Sequence, residues 1–131
     1  MIYHHQKYDN GVFGGIVGDD MDNKKGKVNE EKQNLIKRYT VPLEEIFERH
    51  DAPKTIDYFS LDVEGAESIV MMGFPFQKYK FRILSIERPQ DDLKQLLQSN
   101  NYTYVQTLGG FGETVWAHAS EMNRINALRG E

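Results

Sequence analysis

The stretch that decides the fold is IDYFSLDVEGAE, residues 56–67. Its first half, Ile56 to Leu61, is an apolar run of strand length that ends abruptly in a group of acids. A helical period of apolar residues follows directly, at Ala66, Ile69 and Val70. The pattern predicts a buried strand that carries carboxylates at its C-terminal end, with a helix immediately after it. In open α/β sheets ligands bind beyond the carboxyl ends of the strands, so we expect the chemistry of the chain here.

Composition limits the class of protein. The chain has 131 residues, which is enough for one domain with its own core. Its net charge of −4 argues against a general nucleic-acid binder, which would show a basic surface. No apolar run approaches the ~20 residues that cross a bilayer, and the N-terminus lacks the pattern of a signal peptide, so we expect a cytoplasmic protein that does not bind membranes. The absence of cysteine excludes disulfides and thiolate chemistry.

Helices and strands alternate downstream of residue 40. Thr40 is a candidate cap for a helix with Pro42 in its first turn, and the sequence from Asp51 to Pro53 ends that helix. Further strands are predicted at residues 81–86, 102–107 and 113–118, with helices at 65–72, from Asp91 or Asp92, and after Ser120. Helices that alternate with strands indicate a parallel sheet, and the Gly-rich turn at 109–112 predicts an antiparallel closing pair.

The domain organisation is interpreted as a single α/β domain over residues 1–131. Residues 1–35 form an irregular N-terminal region, in which the polar segment 18–31 is interpreted as a loop. Residues 36–119 form the α/β core, and residues 120–131 a C-terminal tail.

Four segments carry a resemblance to a known family: TVPLEEIF, IDYFSLDVEGAE, FRILSIERP and FGETVWAH. Together they resemble the FkbM-type methyltransferases of the class I S-adenosylmethionine-dependent superfamily, over roughly residues 36–119. The resemblance implies a Rossmann-like methyltransferase sheet closed by an antiparallel C-terminal hairpin. It also implies S-adenosylmethionine as cofactor and O-methylation of a hydroxyl on a saccharide or another small-molecule natural product.

The sequence departs from the family at the cofactor loop. The family binds the donor with a Gly-rich turn after its first strand and an acid at the end of its second strand. Neither glycine pair, Gly14-Gly15 or Gly109-Gly110, has a preceding strand and a following helix of the right kind. The chain therefore resembles the C-terminal half of such an enzyme, with a half-sheet in place of a full one.

The candidate site residues lie around the strand end. By resemblance, Asp62 is nearest to the transferring methyl group and Gly65 shares the cofactor contact, while Glu64 or Glu87 is the base or orients the acceptor. The residues alone allow a purely structural interpretation as well. Glu64 is a candidate cap of the following helix, with Glu67 completing a capping box, and Asp62 is a candidate acceptor for the amides of the turn.

Two other functions remain open from the sequence. The first is a non-catalytic assembly module, a homo-oligomer that pairs through the exposed edge of strand 56–61. The second is a hydrolase in which Asp62, Glu64 and Glu87 hold Mg²⁺ or Mn²⁺. The N-terminal pair His4 and His5, with Asp9, is interpreted as exposed polar residues, because adjacent residues of a strand project to opposite faces.

Overall fold

The computed structural model of the chain describes residues 2–5, 15–16, 34–37 and 39–130. Near the N-terminus, β1 (Ile2–His5) lies between β2 (Gly15–Ile16) and β3 (Asn34–Lys37) in an antiparallel sheet. The predicted loop at 18–31 and the residues Asp9 and Gly14 lie outside the described residues.

The remaining elements follow in chain order: α1 (Leu43–Arg49), β4 (Thr55–Leu61), α2 (Glu67–Met71), β5 (Lys80–Glu87), α3 (Asp91–Ser99), β6 (Tyr102–Leu108), β7 (Glu113–His118), a 3₁₀ turn (Ala119–Glu121) and α4 (Met122–Arg129). The four strands form one open sheet in the order β4-β5-β7-β6. The mixed α/β class predicted from the alternation of helices and strands is confirmed.

The sheet combines one parallel pair with two antiparallel pairs. Strands β4 and β5 run parallel, with Ile56 opposite Phe81 and Leu61 opposite Ile86, so the two strands that carry the family resemblance share one sheet. Strand β7 is antiparallel to both of its neighbours, β5 and β6. The antiparallel closing pair predicted from the glycine turn is therefore confirmed, and β7 also separates β5 from β6.

The core lies between the sheet and the helices that cross over it. Its largest side chains, including Tyr79, Phe81, Leu84 and Ile86, are fully buried. In α3 the leucine period is confirmed, because Leu93 and Leu97 are buried and Leu96 packs against the same cluster. Burial of each such side chain stabilises the fold by roughly 1.5–3 kcal/mol.

Aromatic rings join α1 to this core. The ring of Phe47 makes edge contacts with the rings of Phe59, Phe74, Tyr79 and Phe81, at centroid distances of 6.1, 5.8, 5.2 and 6.1 Å. Such edge-to-face contacts add to the burial of area. They explain how a helix of 7 residues with no fully buried side chain is held on the sheet.

Two predictions for this region are wrong. Strand β4 is not buried along its length, because it lies at the edge of the sheet; of its residues only Leu61 is buried, and Tyr58 is 57% exposed. Thr40 does not cap α1, since Pro42 is the N-cap residue and no side chain donates or accepts a capping bond there.

None of the helices in the described parts of the chain is long and apolar enough to cross a bilayer.

Candidate functional site

A tight turn connects β4 to α2 and presents Asp62 at the end of the strand. The amide of Ala66 donates to the carbonyl of Val63 at 3.3 Å, and the two residues between them, Glu64 and Gly65, have φ of 55° and 92°. Glycine adopts this left-handed backbone readily, whereas for glutamate it costs on the order of 1–2 kcal/mol. The turn is therefore strained at Glu64, as turns at functional sites often are.

Glu67 holds the turn from inside. Its side chain is buried at 5% exposure, and its Oε1 accepts hydrogen bonds from the amides of Val63 at 2.9 Å and Gly65 at 3.3 Å. The predicted capping box is wrong, because α2 begins at Glu67 itself and its N-cap, Ala66, provides no side-chain bond. Asp62 was predicted to accept hydrogen bonds from the backbone amides of this turn. The amides of Val63 and Gly65 donate to the side chain of Glu67 instead.

Three carboxylates converge at the carboxyl ends of the parallel strands. One carboxylate oxygen from each of Asp62, Glu67 and Glu87 lies within 4.8 Å of the other two. Asp62 is exposed, while the side chain of Glu87 is only 18% exposed. Of the residues predicted for the site, Asp62 and Glu87 are thus brought together. Glu64 is not one of the three; Glu67 takes that place.

Burial raises the pKa of Glu87 above its ordinary value. The Arg88 guanidinium, which donates to Glu87 Oε2 at 3.2 Å, opposes this rise, while the hydrogen bond and negative charge of Asp62 add to it. A second negative charge this close disfavours the ionised form of Glu87.

A further acid, Glu113, belongs to the same edge of the sheet. In the register of β5 and β7 it lies directly opposite Glu87. The hydroxyl of Ser85, which is 1% exposed, donates to Glu113 Oε1. Sequence reasoning did not select Glu113, because only the pairing register, which joins residues far apart in the chain, places it next to Glu87.

The cluster favours ligands that donate hydrogen bonds. Ionised carboxylates only accept, so hydroxyl and ammonium groups are their natural partners. Carboxylate oxygens also suit hard cations such as Mg²⁺, but Glu67 Oε1 already accepts two backbone amides. The exposed oxygens of Asp62 and the partly exposed carboxyl of Glu87 are thus the groups best placed to meet a ligand.

A cavity among the described residues is separate from this cluster. It has a volume of about 480 Å³ and lies between α1 and α2, with walls that include Val41, Ile46, Ile69 and Val70. Its only acid is Glu44. The carboxylate cluster, with its acids at the strand ends, is the better candidate for proton-transfer chemistry.

The glycine pairs do not form a strand-turn-helix loop in the described residues. Gly15 lies in β2, which pairs antiparallel with β1. Gly109 and Gly110 lie in the hairpin turn between β6 and β7. The departure from the family noted in the sequence therefore holds for these positions.

The family itself can now be assigned. Residues 2–104 match the model of the methyltransferase FkbM domain. The chain belongs to this family. The match includes β4, the acidic turn and β5, and thus both Asp62 and Glu87. It reaches farther towards the N-terminus than the resemblance of residues 36–119 and stops within β6, before Glu113.

Membership of this FkbM family identifies the chain as a methyltransferase domain, of a class that generally uses S-adenosylmethionine. No curated protein and no solved structure gives a significant match to the chain. The carboxylate cluster is accordingly interpreted from its own geometry.

Proposed function

We propose that the carboxylates at the ends of β4 and β5 form the acceptor side of an S-adenosylmethionine-dependent O-methyltransferase. One observation carries the proposal: carboxylate oxygens of Asp62 and Glu87 lie within 4.8 Å of each other at the carboxyl ends of adjacent parallel strands. That is where open α/β sheets bind ligands. The acceptor is a hydroxyl of a saccharide or a related natural product.

The carboxylates act on the acceptor in this proposal. When bound, the cofactor supplies an electrophilic methyl group on its sulfonium. Glu87, whose pKa is raised by burial, accepts the proton of the acceptor hydroxyl as the hydroxyl oxygen bonds to the methyl carbon, while the S–CH₃ bond of the sulfonium breaks and a neutral thioether is left. Asp62 orients the acceptor by accepting a hydrogen bond from a neighbouring hydroxyl of the same molecule. Glu67 fixes the turn so that Asp62 keeps this position, which makes Glu67 a positioning residue.

The described residues fit only part of the donor. Asp62 and Gly65 suit its amino or ribose hydroxyl groups, which donate hydrogen bonds. The glycine-rich turn that would hold the rest of the molecule has no counterpart in the described ranges, as the positions of Gly15 and Gly109 illustrate. We infer that the four strands are half of a Rossmann-like sheet and that the donor site is completed beside β4.

The first experiment is a calorimetric titration of S-adenosylmethionine into the chain. Micromolar binding, weakened at least tenfold by Asp62→Ala but unchanged by Asp57→Asn, would support a donor site at this turn. Asp57 is the matched control because it lies on the same strand, is 85% exposed and faces Arg82. If the titration shows no heat of binding, the proposal that this chain alone forms a donor site is contradicted.

A second candidate function is assembly through the outer edge of β4. Among the described strands β4 bonds to β5 alone, and an unpaired edge is a template for another strand. The opposite edge, β6, is protected by a bulge between Tyr104 and Gln106 and by Arg129, which donates to the carbonyl of Val105 at 2.9 Å. Strand β4 pairs with β5 in an unbroken register, without such a bulge.

Sedimentation equilibrium tests this assembly. A concentration-dependent dimer that Tyr58→Lys dissociates, while Tyr104→Lys on the opposite edge does not, would support pairing through β4. A monomer at all concentrations would exclude a homo-oligomer formed by this edge.

The metal-dependent hydrolase is tested by thermal unfolding with Mg²⁺ and with Mn²⁺. A rise in melting temperature that Asp62→Asn abolishes would favour it over the methyltransferase. An unchanged melting temperature would rule it out.

A further inference from the structure

The turn between β6 and β7 lies at the same edge of the sheet as the carboxylates. In the pairing register Leu108 lies opposite Glu113, and Glu113 lies opposite Glu87, so the three form one row across the strand ends. Neighbouring strands are about 4.8 Å apart, which puts the start of the turn on the order of 10 Å from Glu87.

A contact with Arg88 fixes this turn beside the cluster. The amide of Arg88 donates to the carbonyl of Gly112 at 3.1 Å. Gly112 has φ of 82°, and a Cβ at this position would come within 3.0 Å of Arg88 Cγ. Only glycine permits this approach without displacing the side chain. Because Arg88 directly follows Glu87, the tether couples the turn to the proposed base.

The turn presents an aromatic side chain to solvent. Phe111 is 86% exposed, and side chains added at Gly109 or Gly110 would meet nothing within 4 Å. The ring is thus largely exposed to solvent, in a turn that begins at the sheet edge where Glu87 and Glu113 lie. Sites for organic ligands combine apolar or aromatic walls with a few placed polar groups, which is the combination found here.

We propose that Phe111 is the aromatic wall of the acceptor site and packs against the C–H face of a saccharide ring. The proposal rests on the proposed function, since it takes the carboxylates as the acceptor side. A pyranose offers hydroxyl donors around its rim and an apolar face. Asp62 and Glu87 accept hydrogen bonds from the hydroxyls, and the Phe111 ring covers the apolar face. Phe111 is thus a specificity-determining residue that distinguishes cyclic from open-chain polyols.

The test is saturation-transfer NMR without donor, with methyl β-D-glucopyranoside as the ring probe and D-glucitol as its open-chain counterpart. We expect the ring probe to bind more tightly than glucitol. Phe111→Ala should weaken ring-probe binding roughly five- to tenfold, as expected for loss of one aromatic contact, while Phe111→Tyr retains it. Leu128→Ala is the matched control, because Leu128 is 81% exposed on α4 and its loss should change nothing.

Gly112→Ala provides a second variant, in which the ring is retained but its tether is disturbed. It should weaken ring-probe binding as Phe111→Ala does, with an unchanged far-ultraviolet circular dichroism spectrum. The proposal is overturned if the wild-type chain does not bind the ring probe, or if Phe111→Ala and Leu128→Ala bind it equally.

The donor titration keeps this proposal separate from the proposed function. Phe111→Ala should leave S-adenosylmethionine binding unchanged. If donor binding is present but ring-probe binding does not depend on Phe111, the aromatic wall is wrong and the methyltransferase proposal stands. If ring-probe binding depends on Phe111 while donor binding is absent, the acceptor wall stands and a donor site in this chain is wrong.

Discussion

Glu67 shows how one buried side chain organises the candidate site. Its carboxylate is buried and accepts hydrogen bonds from the partly buried amides of Val63 and Gly65. A buried donor without its acceptor costs about 1–3 kcal/mol. The position of Asp62 therefore depends on a residue that need not touch any ligand.

We expect Glu67→Ala to lower the free energy of unfolding by about 1–3 kcal/mol, because two partly buried amides lose their acceptor. Glu67→Gln should cost less, since its amide oxygen still accepts. Urea denaturation measures both, with the exposed Glu45→Ala as control. Equal losses at positions 67 and 45 would contradict a role for Glu67 in the turn.

The raised pKa of Glu87 predicts that the stability of the protein depends on pH. Its folded pKa is raised by burial, so the native state binds more protons than the unfolded chain over the window between the ordinary value, about 4.3, and the folded value. Stability therefore falls as pH rises through this window. Below the window the carboxyl is protonated in both states and its burial has no ionic cost.

Glu87→Gln removes this cost, so we expect the variant to unfold at higher urea than wild type at neutral pH and the difference to disappear near pH 4. Urea midpoints between pH 3.5 and 8 provide the measurement. A difference that does not change with pH would show that Glu87 titrates as an exposed acid. Proton acceptance in the proposed reaction would then need another base.

The place of a single residue was predictable where the local sequence pattern determines it. It was not predictable where hydrogen bonds to other parts of the backbone determine it. Asp62 and Glu87 were selected by the family resemblance, and each lies where an apolar run ends, which predicts a position at the strand ends. The bonding of Glu67 was not found, because the backbone turn that aims its carboxylate inward requires left-handed residues at Glu64 and Gly65. Glutamate gives no signal for that conformation in the sequence.

At the scale of elements, Tyr102 links two strands that are not neighbours. Its hydroxyl oxygen accepts the amide of Phe81 at 3.0 Å, which joins the beginning of β6 to the beginning of β5. Tyr102 is buried, and burial raises the pKa of its hydroxyl. The bond satisfies an amide inside the core, where water cannot replace it.

Tyr102→Phe should lower the free energy of unfolding by about 1–3 kcal/mol, because the Phe81 amide is left without an acceptor. Tyr104→Phe is the matched control, since Tyr104 lies on the same strand and is 47% exposed. Thermal or urea unfolding of the two variants measures the difference. Equal stabilities would mean that the hydroxyl of Tyr102 contributes nothing to the pairing of these strands.

The boundaries of elements were predicted best where turn chemistry is strong. Strand β7 begins and ends at Glu113 and His118, as the sequence indicates after its glycine turn. The burial of β4 was not predictable from its apolar run. Burial of a strand depends on what lies on both of its edges, and that is a property of the sheet rather than of residues 56–61.

At the scale of the whole molecule, β7 holds the sheet together. Strands β5 and β6 make no ladder with each other, and each pairs with β7. The antiparallel turn was predictable because it joins neighbours in sequence. The insertion of β7 between β5 and β6 was not, because the β5–β7 pairing joins segments about 30 residues apart, as Ile86 and Thr114 do.

Truncation of the chain tests whether β7 holds the sheet together. A chain that ends after Gly112 should lose cooperative unfolding, because β5 and β6 lose their shared partner. A chain that ends after Glu121 should keep it, since α4 has no buried residue and the Arg82–Glu121 ion pair remains. Circular dichroism during urea unfolding distinguishes the two. Cooperative unfolding of the shorter chain would show that β7 is dispensable.

The central position of β7 also bears on synthesis in the cell. A ribosome makes β5 and β6 before β7, and at 5–20 residues per second the interval from Glu87 to His118 lasts a few seconds. During that interval the nascent chain carries β5 with one edge unsatisfied, beside the apolar leucines of α3. Chaperones that bind emerging hydrophobic segments would meet this domain at that stage, and translation of β7 is the event that ends its exposure.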